Sequence, residues 1–141
     1  VAVFNKFNIF VADVNNGVHN LGSNALKLAL SNTLPVASNT LFANITEIGA
    51  GNGYSAGGAA ITITSSAQVA GVYRLIGNNV VFTASGGTIG PFRYLILYNS
   101  TPVSPLKPLI GWYDYGSAVT LNSGDAFTHA FDGTNGILSD T

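Results

Sequence analysis

Phe92-Arg93-Tyr94-Leu95-Ile96-Leu97-Tyr98, followed after a proline-broken loop by Leu109-Ile110-Gly111-Trp112-Tyr113-Asp114-Tyr115, is the stretch that decides the fold. The first run is apolar at every position but Arg93, so it reads as a central strand buried on both faces. Around it, short segments of period two recur. Leu26, Leu28 and Leu30 alternate with Lys27 and Ala29, and Ile61 and Ile63 with Thr62 and Thr64, as half-buried strands do. Residues 72–76 and 80–84 flank Gly77-Asn78-Asn79, which predicts a hairpin. Residues 109–115, 118–121 and 126–132 complete the set, with turns expected at Gly116-Ser117 and Asn122-Ser123-Gly124. Short β segments broken this often by Gly, Asn and Pro predict a mainly all-β fold, an antiparallel β-sandwich of short strands.

One segment departs from period two. Phe7, Phe10, Val11 and Val14 fall at helical spacing, with Asn5 placed to cap the start and Asn15-Asn16-Gly17 to stop it. Phe7, Ile9 and Val11 also alternate, but the spacing favours one short N-terminal helix over residues 6–14. A helix of that length is marginal alone and must dock its apolar stripe. The 141 residues are expected to form a single β-rich domain, with residues 1–16 as an N-terminal arm or helix.

Only 8% of the residues are Asp, Glu, Lys or Arg, against about 25% in an ordinary soluble domain, and the net charge is -1. The exposed positions therefore fall to Asn, Ser, Thr and Gly, which hydrate well but supply no repulsion between copies. Weakly charged, near-neutral surfaces favour association, so the chain reads as a part built to pack against neighbours. Five basic residues scattered along the chain form no block able to neutralise several phosphates, and nucleic acid is not expected as a partner. The longest apolar runs are far below the ~18 residues of a membrane-spanning helix, so no membrane partner is expected either. No secretory signal is visible, and small Val1 suits removal of an initiator Met as well as processing further along a longer chain. Cys is absent, which excludes a disulfide framework and any thiolate metal site.

The residues that carry chemistry are few. His19 and His129 lie far apart in sequence, and a single His in a strand pattern such as Phe127-Thr128-His129 is more often packed or on the surface than a base. Asp114 sits among aromatics, but the outward face of a strand is its expected place, and no second acid has a matching context for glycoside hydrolysis. Ser85-Gly86-Gly87-Thr88-Ile89-Gly90 lacks the Lys-Ser/Thr of a phosphate-binding loop. Asp132-Gly133-Thr134-Asn135-Gly136 lacks the alternating acids and closing Glu of a calcium loop. No residue is nominated for catalysis, and neither cofactor nor metal is expected. The aromatic residues remain. Trp112, Tyr113 and Tyr115, with Tyr94 and Tyr98 on a neighbouring strand, fit a platform for sugar rings or, with more weight, core and subunit-interface anchors.

Several stretches carry a resemblance. Gly17-Val18-His19-Asn20-Leu21-Gly22-Ser23, residues 26–33, Thr46-Glu47-Ile48, Gly51-Asn52-Gly53-Tyr54 and Gly57-Gly58 resemble the first half of a family of small tailed-bacteriophage virion proteins. Gly90-Pro91-Phe92-Arg93-Tyr94, Leu97-Tyr98-Asn99 and residues 108–116 resemble its second half, so the likeness spans nearly the whole chain. The resemblance implies a non-enzymatic structural protein of the phage particle, a decoration protein that binds between capsomers and stabilises the capsid. It further implies the major capsid protein as partner and a dimeric or trimeric homo-oligomer. The protein would sit on the phage head surface, and in the host cytoplasm during assembly. The alternative is a carbohydrate-binding or tail-associated virion protein. The expected assembly contacts are Phe4, Phe7 and Phe10 of the arm, Val103 of the proline loop, and Trp112, Tyr113 and Tyr115.

Overall fold

The computed structural model describes residues 2–140, with the side chain of Asp140 left aside. Its centre is an antiparallel five-stranded sheet ordered β1 (Val3–Lys6), β8 (Leu109–Leu121), β7 (Ile89–Asn99), β2 (Leu26–Ser31), β3 (Ala59–Ala60). A three-stranded sheet is ordered β10 (Leu138–Asp140), β5 (Val72–Gly77), β4 (Ile63–Val69), and a two-stranded one pairs β6 (Val80–Thr83) with β9 (Ala126–His129). The fold is the expected antiparallel sandwich with one short helix, α1 (Ile9–Asn15).

The alternation along β7 sorts the core into two layers. Leu95 and Leu97, with Leu26, Leu28 and Leu30 of β2, pack against Leu75, Val80 and Phe82 of the smaller sheets. Tyr94, Ile96 and Tyr98, with Ala29 and Trp112, face the other way onto Phe7, Ile9, Phe42 and Ile45. The central sheet is thus covered on both faces, the second by the segment around α1 and the loop of residues 32–48, whose Phe42 ring stacks on Tyr98 at 4.1 Å. This is why β2, read as half-buried, is buried at Ala29 as well as at its leucines.

Four expectations on local structure need correction. Residues 3–6 are neither free arm nor helix, because they pair with residues 111–114 of β8 and form an edge of the main sheet. The helix consequently starts after Asn8, which makes no side-chain cap, and Asn5 sits in β1. Ile61 lies between β3 and β4 rather than in a strand with Ile63. The third correction concerns β5 and β6, which do not form a hairpin. β5 has both edges occupied by β4 and β10, β6 pairs with β9, and neither Asn78 nor Asn79 has the positive φ that a tight two-residue hairpin turn needs. That geometry occurs instead at Ala70-Gly71, with φ of 52° and 81°, joining β4 to β5.

The fourth concerns Gly116-Ser117, where β8 does not turn. Residues 115–118 bulge out between the pairs Tyr94↔Asp114 and Phe92↔Val119, and the strand continues to Leu121. Asp114 holds the bulge. Its Oδ1 accepts from the Gly116 N–H at 2.7 Å and from Arg93 Nε at 2.9 Å, while Gly116 takes the left-handed φ of 83°. Asp114 is on the outward face of its strand as expected, and Arg93 holds its carboxyl below the usual range.

Candidate functional site

Tyr113 and Tyr115, two residues apart in β8, lie on one side of the main sheet. There β9 brings up His129, and the segment from Ala130 to Ser139 closes the wall of a cleft of about 700 Å³. Five rings surround it. Phe4 lies 5.0 Å from Tyr113, Tyr113 lies 4.3 Å from His129, and the Phe131 ring meets His129 edge-on at 4.8 Å. The Tyr115 hydroxyl and His129 Nδ1 share a hydrogen bond of 2.5 Å, and the Tyr113 hydroxyl donates to the Ile137 carbonyl at 3.0 Å. Phe4, Tyr115 and Phe131 are half-buried and Tyr113 is buried.

The wall is fixed by backbone chemistry. Asp132 Oδ1 accepts from the N–H groups of Thr134 and Asn135, both at 2.7 Å, which also lowers its carboxyl pKa. Gly136 lies so close to β5 that a Cβ there would stand 2.2 Å from the Leu75 carbonyl oxygen, and the next N–H, of Ile137, donates to that carbonyl. Among the described lining residues Asp132 is the sole charged one, and no Lys or Arg is present. His129 is 2% exposed, and desolvation pulls its pKa from 6.5 to about 4, so the ring is neutral near pH 7. Its Nε2 is buried without a hydrogen-bond partner among the described residues.

A second groove of about 450 Å³ runs beyond β10, lined by Phe10, Val14, His19, Leu21, Tyr73 and Leu138. His19 Nδ1 accepts from Asn99 Nδ2 at 3.0 Å, because the Asn99 Oδ1 is already taken by the Thr101 N–H. Its pKa is likewise pulled to about 4 by burial.

A third feature lies on the surface. The loops of residues 32–48 and 99–108 are tied together by hydrogen bonds from Phe42 N to the Lys107 carbonyl and from Leu109 N to the Thr40 carbonyl. These joined loops present Leu34, Val36, Val103 and Leu106, each more than half exposed, with Val103 at 81%. Val103 and Leu106 face each other across a tight bridge, so the tip is a built turn rather than loose chain.

The residues expected to make assembly contacts divide into three groups. Phe7, Phe10, Trp112 and Tyr113 are buried inside the subunit, and Phe7 packs on Trp112 at 4.7 Å. Phe7 and Trp112 are covered within the subunit, and Tyr113 and Phe10 reach solvent only as parts of the walls of the two clefts. Phe4 and Tyr115 line the aromatic cleft, and Val103 stands out on its loop. A sugar platform of Trp112, Tyr94 and Tyr98 is also ruled out by burial, since all three lie under the covering segment with exposures of 8%, 6% and 1%. Sequence reasoning missed His129, Phe131 and Asp132 as partners of Tyr115. Period two in Phe127-Thr128-His129-Ala130-Phe131 carries a signal, because it places three rings on one face. No family model, curated protein or solved structure matches this chain.

Proposed function

We propose that the protein is a non-enzymatic structural component of a bacteriophage particle that decorates the head and stabilises it by binding between capsomers. The observation that carries this reading is the pair of joined loops presenting Leu34, Val36, Val103 and Leu106 on a chain with only 8% charged residues. Large apolar side chains left in water on ordered loops are worth about 1.5–3 kcal/mol each when a partner covers them. A standard interface takes about 800 Å² from each partner, a small part of the 6933 Å² surface here. A protein that binds only the assembled shell stabilises that shell by mass action. The resemblance to small phage virion proteins agrees with this reading, and the proposal includes a dimeric or trimeric form, which would present several such tips at once.

The test uses heads purified without the protein. Added wild-type protein should sediment with them at a fixed ratio and appear at capsomer junctions by electron cryomicroscopy. The Val103→Asp/Leu106→Asp double variant should fold normally and fail to bind. Binding by the double variant at wild-type occupancy, or density in rings along the tail instead of on the head, would overturn the proposal.

A further inference from the structure

We propose that the cleft between Phe4, Tyr115, His129 and Phe131 is a binding site for a neutral saccharide. The volume of about 700 Å³ falls within the ~300–1,000 Å³ of small-ligand sites and is larger than a single methylated ammonium head requires. The absence of Lys and Arg among the described lining residues argues against anions such as phosphates, sulfated glycans and sialylated glycans. A ligand with an apolar face and a polar edge suits what is left.

Three half-buried aromatic residues, Phe4, Tyr115 and Phe131, line the cleft, and the electron-rich face of an aromatic ring is a surface on which the C–H face of a pyranose packs. Thr128, Ser139 and Asp132 also line the cleft, and Asp132 Oδ2 is not used by the turn that Oδ1 caps. At the floor lies His129, 2% exposed, with Nε2 unpartnered. If the Tyr115 hydroxyl donates to Nδ1, Nε2 carries the proton; if it accepts, Nε2 is bare. A sugar hydroxyl meets both cases, because it donates and accepts. An apolar side chain from a protein partner meets neither, and it would strip water from Asp132.

The proposal is independent of where on a particle the protein sits, and its test is correspondingly separate. Wild-type protein, labelled with ¹⁵N, is titrated with maltotriose, chitotriose and choline chloride, and screened against an array of immobilised neutral and anionic oligosaccharides. At least one neutral oligosaccharide should bind and shift the amide signals of Tyr115, His129 and residues 131–139. Phe131→Ala and Asp132→Asn should each weaken that binding about tenfold, as expected for losing one contact of ~1.4 kcal/mol. Both variants should melt within a few degrees of wild type and should still coat phage heads if wild type does. The proposal is overturned if no neutral saccharide binds at millimolar concentration, if only choline or anionic glycans bind, or if both variants bind like wild type.

Discussion

Replacing Tyr54 by Phe removes one oxygen atom and should cost about 3 kcal/mol. β3 pairs with β2 only at Lys27 and Leu28, so the ladder ends before Leu30. The N–H of Leu30 donates instead to the Tyr54 hydroxyl at 3.0 Å, with both residues buried. That hydroxyl in turn donates to Glu47 Oε2 at 2.6 Å, which also accepts from the Gly57 N–H at 2.6 Å. One side chain therefore completes an edge of the main sheet and pins the glycine-rich loop to it. In Tyr54→Phe the ring keeps its place beside Phe82, and only the oxygen is lost. Leaving the buried Leu30 N–H without an acceptor costs about 1–3 kcal/mol. Losing a hydrogen bond to a charged carboxylate costs about 1.5–3 kcal/mol, reduced here because half-buried Glu47 can regain water. The sum corresponds to a melting temperature lower by roughly 10 °C for a chain of this size. Urea unfolding should show the midpoint falling with an unchanged slope. Tyr73→Phe is the control, since it loses only the exposed Ser66 hydrogen bond of 2.6 Å, and should stay within about 0.5 kcal/mol of wild type. A Tyr54→Phe protein as stable as that control would mean that the Leu30–Tyr54–Glu47 hydrogen bonds add nothing to stability.

Two further predictions concern stability. Burial lowers the pKa of both His19 and His129 from 6.5 to about 4, so between those values the unfolded chain binds more protons than the folded one. Their contribution is whole above pH 6.5 and lost as pH falls towards 4; urea midpoints at pH 7.5 and 4.5 should differ, and His19→Gln/His129→Gln should shrink that difference. Ala70 occupies a left-handed φ of 52° in the β4–β5 turn, a region that costs an L-residue about 1–2 kcal/mol, and glycine enters it freely. Ala70→Gly should raise the urea midpoint by roughly 0.5–1 kcal/mol of stability, and a lower midpoint would show that the turn is not strained.

Local pattern was enough for elements that depend on neighbours in sequence. β7 reads as central from its unbroken apolar run, β2 from its leucines, and the Asn122–Gly124 turn from its composition; Asp125 Oδ2 closes that turn by accepting from the Asn122 N–H at 3.0 Å. Gly116-Ser117 looks like a turn by the same rule, yet the contacts of Asp114 with Arg93 and the Gly116 N–H hold it as a bulge, and Arg93 belongs to another strand. The same limit explains the missing β5–β6 hairpin, since strand adjacency in sequence does not reveal that β4 and β10 already flank β5.

Local pattern established a mainly-β chain, and composition a weakly charged one with no thiol chemistry, because alternation and charge count are properties of residues taken singly or in short windows. Which aromatic residues are enclosed was decided by tertiary structure alone. Periodicity assigns side chains to a face, but a face is buried only when something distant lies on it, as Phe7 lies on Trp112 and Phe42 of the residue 32–48 loop on Tyr98. For the same reason the cleft of Phe4, Tyr115, His129 and Phe131 exists only once β1, β8 and β9 meet.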